Sequence, residues 1–284
     1  MHITTITHHS ELGEWTHHEC VPAGLDGAIE KMWHFEGRMS LLRERSFPRV
    51  YSEIILQLGP RFRDVDGFGN TGDYFPQDCF GGATTAPSVI EAPDAMCCVI
   101  GIQLHAAAAY RLLGFSPQLT HNVTISLDDA LGTRAQHLSE MCYDAPTVAE
   151  RFAIIVRFLA QRLAQSPAPH AAVEWVAREL RRTSGQSSIA ALQQQTAFSK
   201  SRFVALFREG TGFAPKQYAR ILRFGHSLRL LQQGRKLSDA ALRAGYYDQA
   251  HMQNEFTEFA QITPLRFVNA LRFPNATSLP EGCA

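Results

Sequence analysis

Hydrophobic positions change their period partway along the chain. RVYSEIILQLG sets Val50, Ser52, Ile54, Leu56 and Leu58 on one face against Tyr51, Glu53, Ile55 and Gln57 on the other, the two-residue period of a half-buried strand. MCCVIGIQLH and IEKMWHFEG are further short apolar runs, and GPRFRDVDGFGNTGD, PQDCFGG and APSVIEAPDA supply turns between them. Short strands between Gly, Pro and Asp turns predict a small barrel or jelly roll over about 1–115. From Ala106 the period becomes helical in AAAAYRLLG, SLDDALGTRAQHLSEMCY and TVAERFAIIVRFLAQRLAQ. The last of these places Phe152, Ile155, Val156, Leu159 and Leu163 on one face, so helices are expected over about 116–165.

After SPAPH (Ser166 to His170), taken as a linker, every segment reads as a helix. HAAVEWVARELRRT buries Val173, Val176 and Leu180, and SSIAALQQQT follows with a Ser cap. AFSKSRFVALFREGTG begins at a capping Ser199, carries Phe203, Leu206 and Phe207 as an apolar stripe, and stops at glycine. A short helix, a turn and a second capped helix make a helix-turn-helix. PKQYARILRFGHSLRLLQQG is a long helix, opened by Pro215 and ended at Gly234. The same pattern then recurs in LSDAALRAG and YYDQAHMQNEFTEF, with Met252, Phe256 and Phe259 inward, before ITPLRFVNAL closes the series. The long helix, taken from Ala214 to Gln233, would span roughly 30 Å. Successive major-groove faces on one side of B-DNA lie about 34 Å apart.

Composition bounds the reading. The 284 residues are 45% hydrophobic and 19% charged, enough for two packed domains and too apolar for a disordered chain. No uncharged apolar run approaches the roughly 18–20 residues of a membrane span, and MHITTITHHSELGEW has no secretory pattern. The six cysteines show no C-x-x-C spacing, so no disulfide framework is expected and a reducing cytoplasm is. The net charge of +0 conceals an asymmetry: residues 1–170 hold 12 Lys and Arg against 19 Asp and Glu, and residues 171–284 hold 15 against 8. A basic half joined to an acidic one points to a polyanion partner for the basic half.

The two repeated units, FSKSRFVALFREGTGFAPKQYARILRF and LSDAALRAGYYDQAHMQNEFTEFAQITPLRF, resemble the DNA-binding domain of AraC/XylS-type transcription regulators. The resemblance covers about a third of the chain and assigns 171–275 to that domain, with 276–284 as a tail. It implies binding to double-stranded DNA through two recognition helices. In the first, Lys200, Ser201, Arg202, Val204, Ala205 and Arg208 lie off the apolar stripe; in the second, Tyr247, Gln249, Ala250, His251 and Asn254 do. Gln249 and Asn254 can read adenine bidentately, whereas Lys200, Arg202, Arg208 and Lys216 suit phosphates. Gln193 and Thr196 stand where the family carries a small residue and a Leu, which predicts a first unit loosened by a buried unpaired amide. Gln261 replaces the usual turn glycine.

Residues 1–165 more weakly resemble the cupin-like sensor domains that precede such DNA-binding domains, through Trp33, Leu58-Gly59, VIGIQLHAAAAYRLLG and LDDALG. The fold expected is therefore a two-domain α+β chain: an N-terminal cupin-like β-barrel with trailing helices, then an all-α double helix-turn-helix domain. The resemblance implies a small-molecule effector in the barrel, a homodimer formed through the helices and contact with the transcription machinery. Trp33, Tyr51, Glu53, Gln103 and His105 are the candidate effector contacts, and a buried Glu53 needs a partner or a cationic ligand. Metal-binding cupins carry an H-x-H with a downstream acid and His, which is missing here, and no nucleophile or phosphate-binding motif is present. No cofactor, metal site or catalytic residue is expected. Two other readings stay open: a cupin-type metalloenzyme with an accessory helical domain, and a partner-binding module whose DNA contacts have decayed.

Overall fold

The computed structural model describes residues 2–10, 13–25, 27–40, 42–270 and 278–280. Strands come first: β1 (Thr4–Ser10), β2 (Gly13–Cys20), β3 (Ile29–Met39), β4 (Arg43–Ser46), β5 (Ser52–Gln57), β6 (Arg63–Val65), β7 (Thr71–Tyr74), β8 (Asp78–Gly81), β9 (Ser88–Glu91) and β10 (Cys97–Leu104). Helices α1 (Ala106–Leu113), α2 (Leu127–Leu131), α3 (Gln136–Asp144) and α4 (Val148–Gln165) follow, with β11 (Thr124–Ser126) between the first two. Then come α5 (Ala171–Arg182), α6 (Ile189–Gln195), α7 (Lys200–Thr211), α8 (Pro215–Gln232), α9 (Leu237–Arg243), α10 (Gln249–Ala260), α11 (Pro264–Ala270) and β12 (Ser278–Pro280). No helix among the described residues is long and apolar enough to cross a membrane.

The strands form a 7-stranded sheet, β1-β2-β3-β10-β5-β8-β11, and a 5-stranded sheet, β12-β4-β9-β6-β7. The sequence alternation decides what each face of the larger sheet does. Ile54 and Leu56 of β5 join Ile100, Ile102 and Leu104 of β10 on its outer face, where Leu112, Leu138, Phe152, Ile155 and Leu159 from the trailing helices cover them. Tyr51, Glu53, Ile55 and Gln57 point the other way, into the space between the sheets. Two three-residue strands correct the expected limits: β11 pairs with β8 beyond residue 115, and β12 pairs with β4 from within the expected tail. Three residues carry too little alternation to be read as a strand. The rest of that tail lies outside the described residues.

The boundary at 166–170 is not a break in the core. Phe47, Val50, Ala83 and Ala106 from the N-terminal half belong to the same buried cluster as the helices α5–α11. The Phe47 ring meets Phe224 at 6.2 Å and Phe267 at 5.7 Å, both edge-on. Within the expected linker Pro169 is buried, and His170 Nδ1 accepts from the Ala172 amide at 3.2 Å to cap α5.

A second seam joins the end of α7 to the loop after α1. Gly212 closes α7 in the left-handed region at φ 82. A Cβ there would stand 2.5 Å from His121 Nε2 and 2.9 Å from the Gln118 amide, so both conformation and space demand glycine. The His121 ring packs at 4.2 Å on Phe213, and its Nε2 is buried without a hydrogen-bond partner. Burial holds the His121 imidazole below its ordinary value of 6.5. The folded chain therefore binds fewer protons here than the unfolded one, and the stability contributed is present above about pH 6.5 and lost as pH falls below it. Burial shifts His17, His34 and His226 in the same direction. Urea unfolding followed from pH 7.5 to 5 is expected to show less stability lost on acidification in His121→Gln than in the wild-type chain; an identical pH dependence in that variant would contradict the assignment.

Candidate nucleic-acid interface and internal cavity

Each helix-turn-helix unit is capped as its sequence demands. Ser188 and Ser199 accept from the amides of Ala191 and Arg202 to start α6 and α7. Asp248 accepts from the His251 amide at 2.7 Å to start α10. Between the units α8 runs unbroken for 18 residues, about 27 Å, slightly shorter than expected because Ala214 and Gln233 serve as its caps. Its two fully buried rings hold one unit each. Tyr218 meets Phe207 of α7 at 5.4 Å and Phe213 at 5.9 Å, and Phe224 meets Phe256 of α10 at 5.3 Å.

With Phe203 and Phe207 inward, Lys200, Ser201, Arg202, Ala205 and Arg208 of α7 are exposed, as is Lys216 at the start of α8. Val204 is half-buried against the core. On α10, Met252 and Phe256 are fully buried, leaving Gln249, Ala250, His251 and Asn254 exposed. Tyr247, just before α10, is 93% exposed, so its ring is free to meet a partner. The expected loosening of the first unit does not occur. The Gln193 side-chain amide donates to the Phe198 carbonyl, and Thr196 Oγ1 donates to the Gln193 carbonyl at 2.7 Å. The turn itself supplies the partners, so no unpaired amide is left. Gln261 does adopt the left-handed turn at φ 57, a conformation that costs a non-glycine residue about 1 kcal/mol.

A charged network that the sequence reading overlooked fixes α10 to α8. Glu255 is 5% exposed and accepts from Arg220 Nε at 2.8 Å and from the Tyr246 hydroxyl at 3.0 Å. Arg223 lies 3.7 Å from the same carboxylate, and Arg220 also reaches Glu258 at 2.6 Å. Burial and then the Glu255 carboxylate push the Tyr246 hydroxyl well above its usual range, so it stays a donor. The available signal was an acid placed on the inward side of α10 opposite two arginines three residues apart on α8.

The space between the two sheets is a cavity of about 1350 Å³. Trp33, Tyr51, Glu53, Gln103 and His105 all line it, and so do Tyr218, Ile221, Leu222, Leu228 and Arg229 of α8. The wall of the cavity is thus partly the helix that carries both units. Trp33 lies over Gly101, where a Cβ would meet the indole at 2.1 Å. Glu53 finds its partner in Arg49, at 3.0 Å, and accepts from Gln103 Nε2 at 3.0 Å. The Arg49 guanidinium also stands 5.4 Å over the Tyr51 ring, while its Nε is buried with no hydrogen-bond partner. His105 Nδ1 lies 3.3 Å from Glu30, an acid the linear reading did not pair with it. Burial and then the neighbouring Glu53 raise the Glu44 carboxyl to about 7.

These features define a class: a domain of two β-sheets joined to a helical domain that carries two helix-turn-helix units. Residues 192–270 match the family model described as "Helix-turn-helix domain". The chain is 34% identical over 61 residues to the uncharacterized HTH-type transcriptional regulator YbfI of Bacillus subtilis (strain 168). That match spans 22% of this chain and 22% of the relative, about a fifth of its length. Among solved structures the fold is similar to ToxT from Vibrio cholerae, at 11% identity and TM-score 0.48 over 85% of this chain and 99% of that one. It is also similar to the AraC-like transcriptional activator CuxR, at 14% identity and TM-score 0.31 over 72% and 80%.

Removing the Glu255 carboxylate leaves two arginines and a buried hydroxyl without their acceptor. Glu255→Ala is expected to lower unfolding stability by about 2 kcal/mol, less than for a fully buried pair because Arg220 is partly solvated. Denaturation in urea checks this; a loss below about 0.5 kcal/mol would show that the network does not hold α10.

Proposed function

We propose that this chain is a DNA-binding transcription regulator that acts in the cytoplasm and is not an enzyme. The observation that carries the reading is the single α8 helix of 18 residues with a capped, ring-pinned helix-turn-helix unit at each end. Its length of about 27 Å suits two recognition helices entering successive major grooves, about 34 Å apart. The exposed Lys200, Arg202, Arg208 and Lys216 provide phosphate contacts that set register. Gln249 and Asn254 read bases from α10, with Tyr247, Ala250 and His251 beside them. Ser201 and the apolar Val204 and Ala205 give α7 less base-reading capacity, so the second unit carries more of the specificity. The domain division is that of the sequence: sensor 1–165, linker 166–170, DNA-binding domain 171–275.

In this reading a small-molecule effector occupies the cavity between the sheets. Trp33 and Tyr51 give it flat apolar walls, and Glu53, Gln103 and His105 give it polar contacts, with Arg49 Nε open to an acceptor. Because α8 forms part of that wall, a ligand that packs differently against α8 in two arrangements of the domains shifts their populations. Homodimerisation and contact with the transcription machinery complete the proposal.

Footprinting on a selected duplex is expected to protect two successive major grooves on one face, and affinity to fall with salt by about 0.9 log unit for each phosphate neutralised. Asn254→Ala should cost about 1–3 kcal/mol on the specific site and leave random DNA unaffected. Protection of less than one helical turn per chain, or equal losses on both duplexes, would contradict the assignment.

A further inference from the structure

The outer face of the larger sheet, opposite the cavity, holds a group of side chains that neither the DNA face nor the cavity uses. His34 and Glu36 stand two residues apart on β3, and Cys98 of β10 is paired with Glu36 across the ladder. All three therefore project from the same side of the sheet. One ligand atom from each lies within 4.8 Å of the others, and His34 Nε2 is 3.5 Å from Cys98 Sγ. A tetrahedral ion bonded to nitrogen at about 2.0–2.1 Å and to sulfur at about 2.3 Å separates those two atoms by about 3.6 Å. That edge already has the length the ion would impose.

Two of the three ligands are already bonded to a cation of the protein itself. Arg151, in the first turns of α4, donates through Nη1 to His34 Nε2 at 2.7 Å and to Cys98 Sγ at 3.6 Å. His34 is fully buried. Burial, and then the Arg151 charge, push its imidazole down to about 4. Its Nε2 accepts from the Arg151 guanidinium, so the ring already turns that nitrogen toward a cation. Cys98 is only partly buried and Glu36 is exposed, so the group opens to solvent on the side from which an ion would enter.

We propose that His34, Glu36 and Cys98 form a binding site for a zinc-class divalent cation, which exchanges with the Arg151 guanidinium. One imidazole, one thiolate and one carboxylate suit a borderline-soft ion over magnesium or calcium, and leave the fourth position to water. On binding, the S–H bond of Cys98 breaks, its proton passes to solvent and a metal–sulfur bond forms; no electron is transferred. Arg151 gives up its bonds to His34 and Cys98. Its Nε also donates to the Ala145 carbonyl at 3.2 Å, so occupancy changes how the turn between α3 and α4 is held against the sheet. The sequence alone did not suggest this site because its ligands come from strands 64 residues apart, brought together by sheet pairing. It stands independently of the DNA-binding reading.

Titration of the metal-free full-length chain with cobalt(II) tests the proposal. One equivalent is expected to produce a thiolate-to-cobalt charge-transfer band, which zinc then removes. Cys98→Ser should abolish the band, and Glu36→Gln, at an exposed position, should weaken binding at least tenfold. Arg151→Gln should tighten it at least tenfold, because the competing cation is gone. Affinity should rise about tenfold per pH unit while the thiol is protonated. A band that survives in Cys98→Ser, a wild-type chain that folds yet gives no band, or unchanged affinity in folded Glu36→Gln and Arg151→Gln would overturn the assignment.

Discussion

The arrangement of the basic half depends on two aromatic rings of one helix. Tyr218 and Phe224, both fully buried, stand six positions apart on α8 and pack edge-on against Phe207 of α7 and Phe256 of α10. Edge-to-face ring pairs contribute about 0.5–1.5 kcal/mol beyond the area they bury, and they do so in a directional way. A helix of this length gains most of its order from such tertiary packing rather than from intrinsic propensity. The Glu255 network adds a charged fastening for α10, whereas α7 is held instead through Gly212 and Phe213 against the N-terminal half. The two units are thus anchored by different chemistry.

That difference links the halves of the chain. Phe47 reaches from the barrel into the ring cluster of the second unit, and His121 packs on Phe213, just beyond the end of α7. The cavity between the sheets is lined on one side by α8 itself. The helix that lines the cavity is therefore the one against which both units pack. The shared core makes coupling between the halves physically short, since close-packed interiors transmit displacement rather than absorb it.

Local signals were legible in the sequence and long-range ones were not. The alternation at 50–58 placed both faces of β5, and the capping Ser199 and Asp248 placed the starts of α7 and α10. All five barrel residues singled out from inward strand positions line the cavity. What escaped depends on pairing between distant segments: Glu30 beside His105 at the cavity, Arg220 beside Glu255, and the merging of Phe47 with the C-terminal core. Gln193 illustrates the opposite error. Its polarity suggested a defect, but the Phe198 carbonyl of its own turn accepts its amide. The sheet register gathered His34, Glu36 and Cys98, which no linear spacing could announce.

The most direct test of the account is the distance between the two recognition helices. Spin labels at Ser201→Cys and Ala250→Cys, in a background with Cys98 and Cys283 replaced by Ser, report it by pulsed electron resonance. A rigid strut predicts one narrow distribution near the ~34 Å separation of adjacent major grooves, the same with and without duplex DNA. A broad distribution, or one that moves by many ångströms when DNA is added, would contradict a stiff helix that sets the spacing in advance.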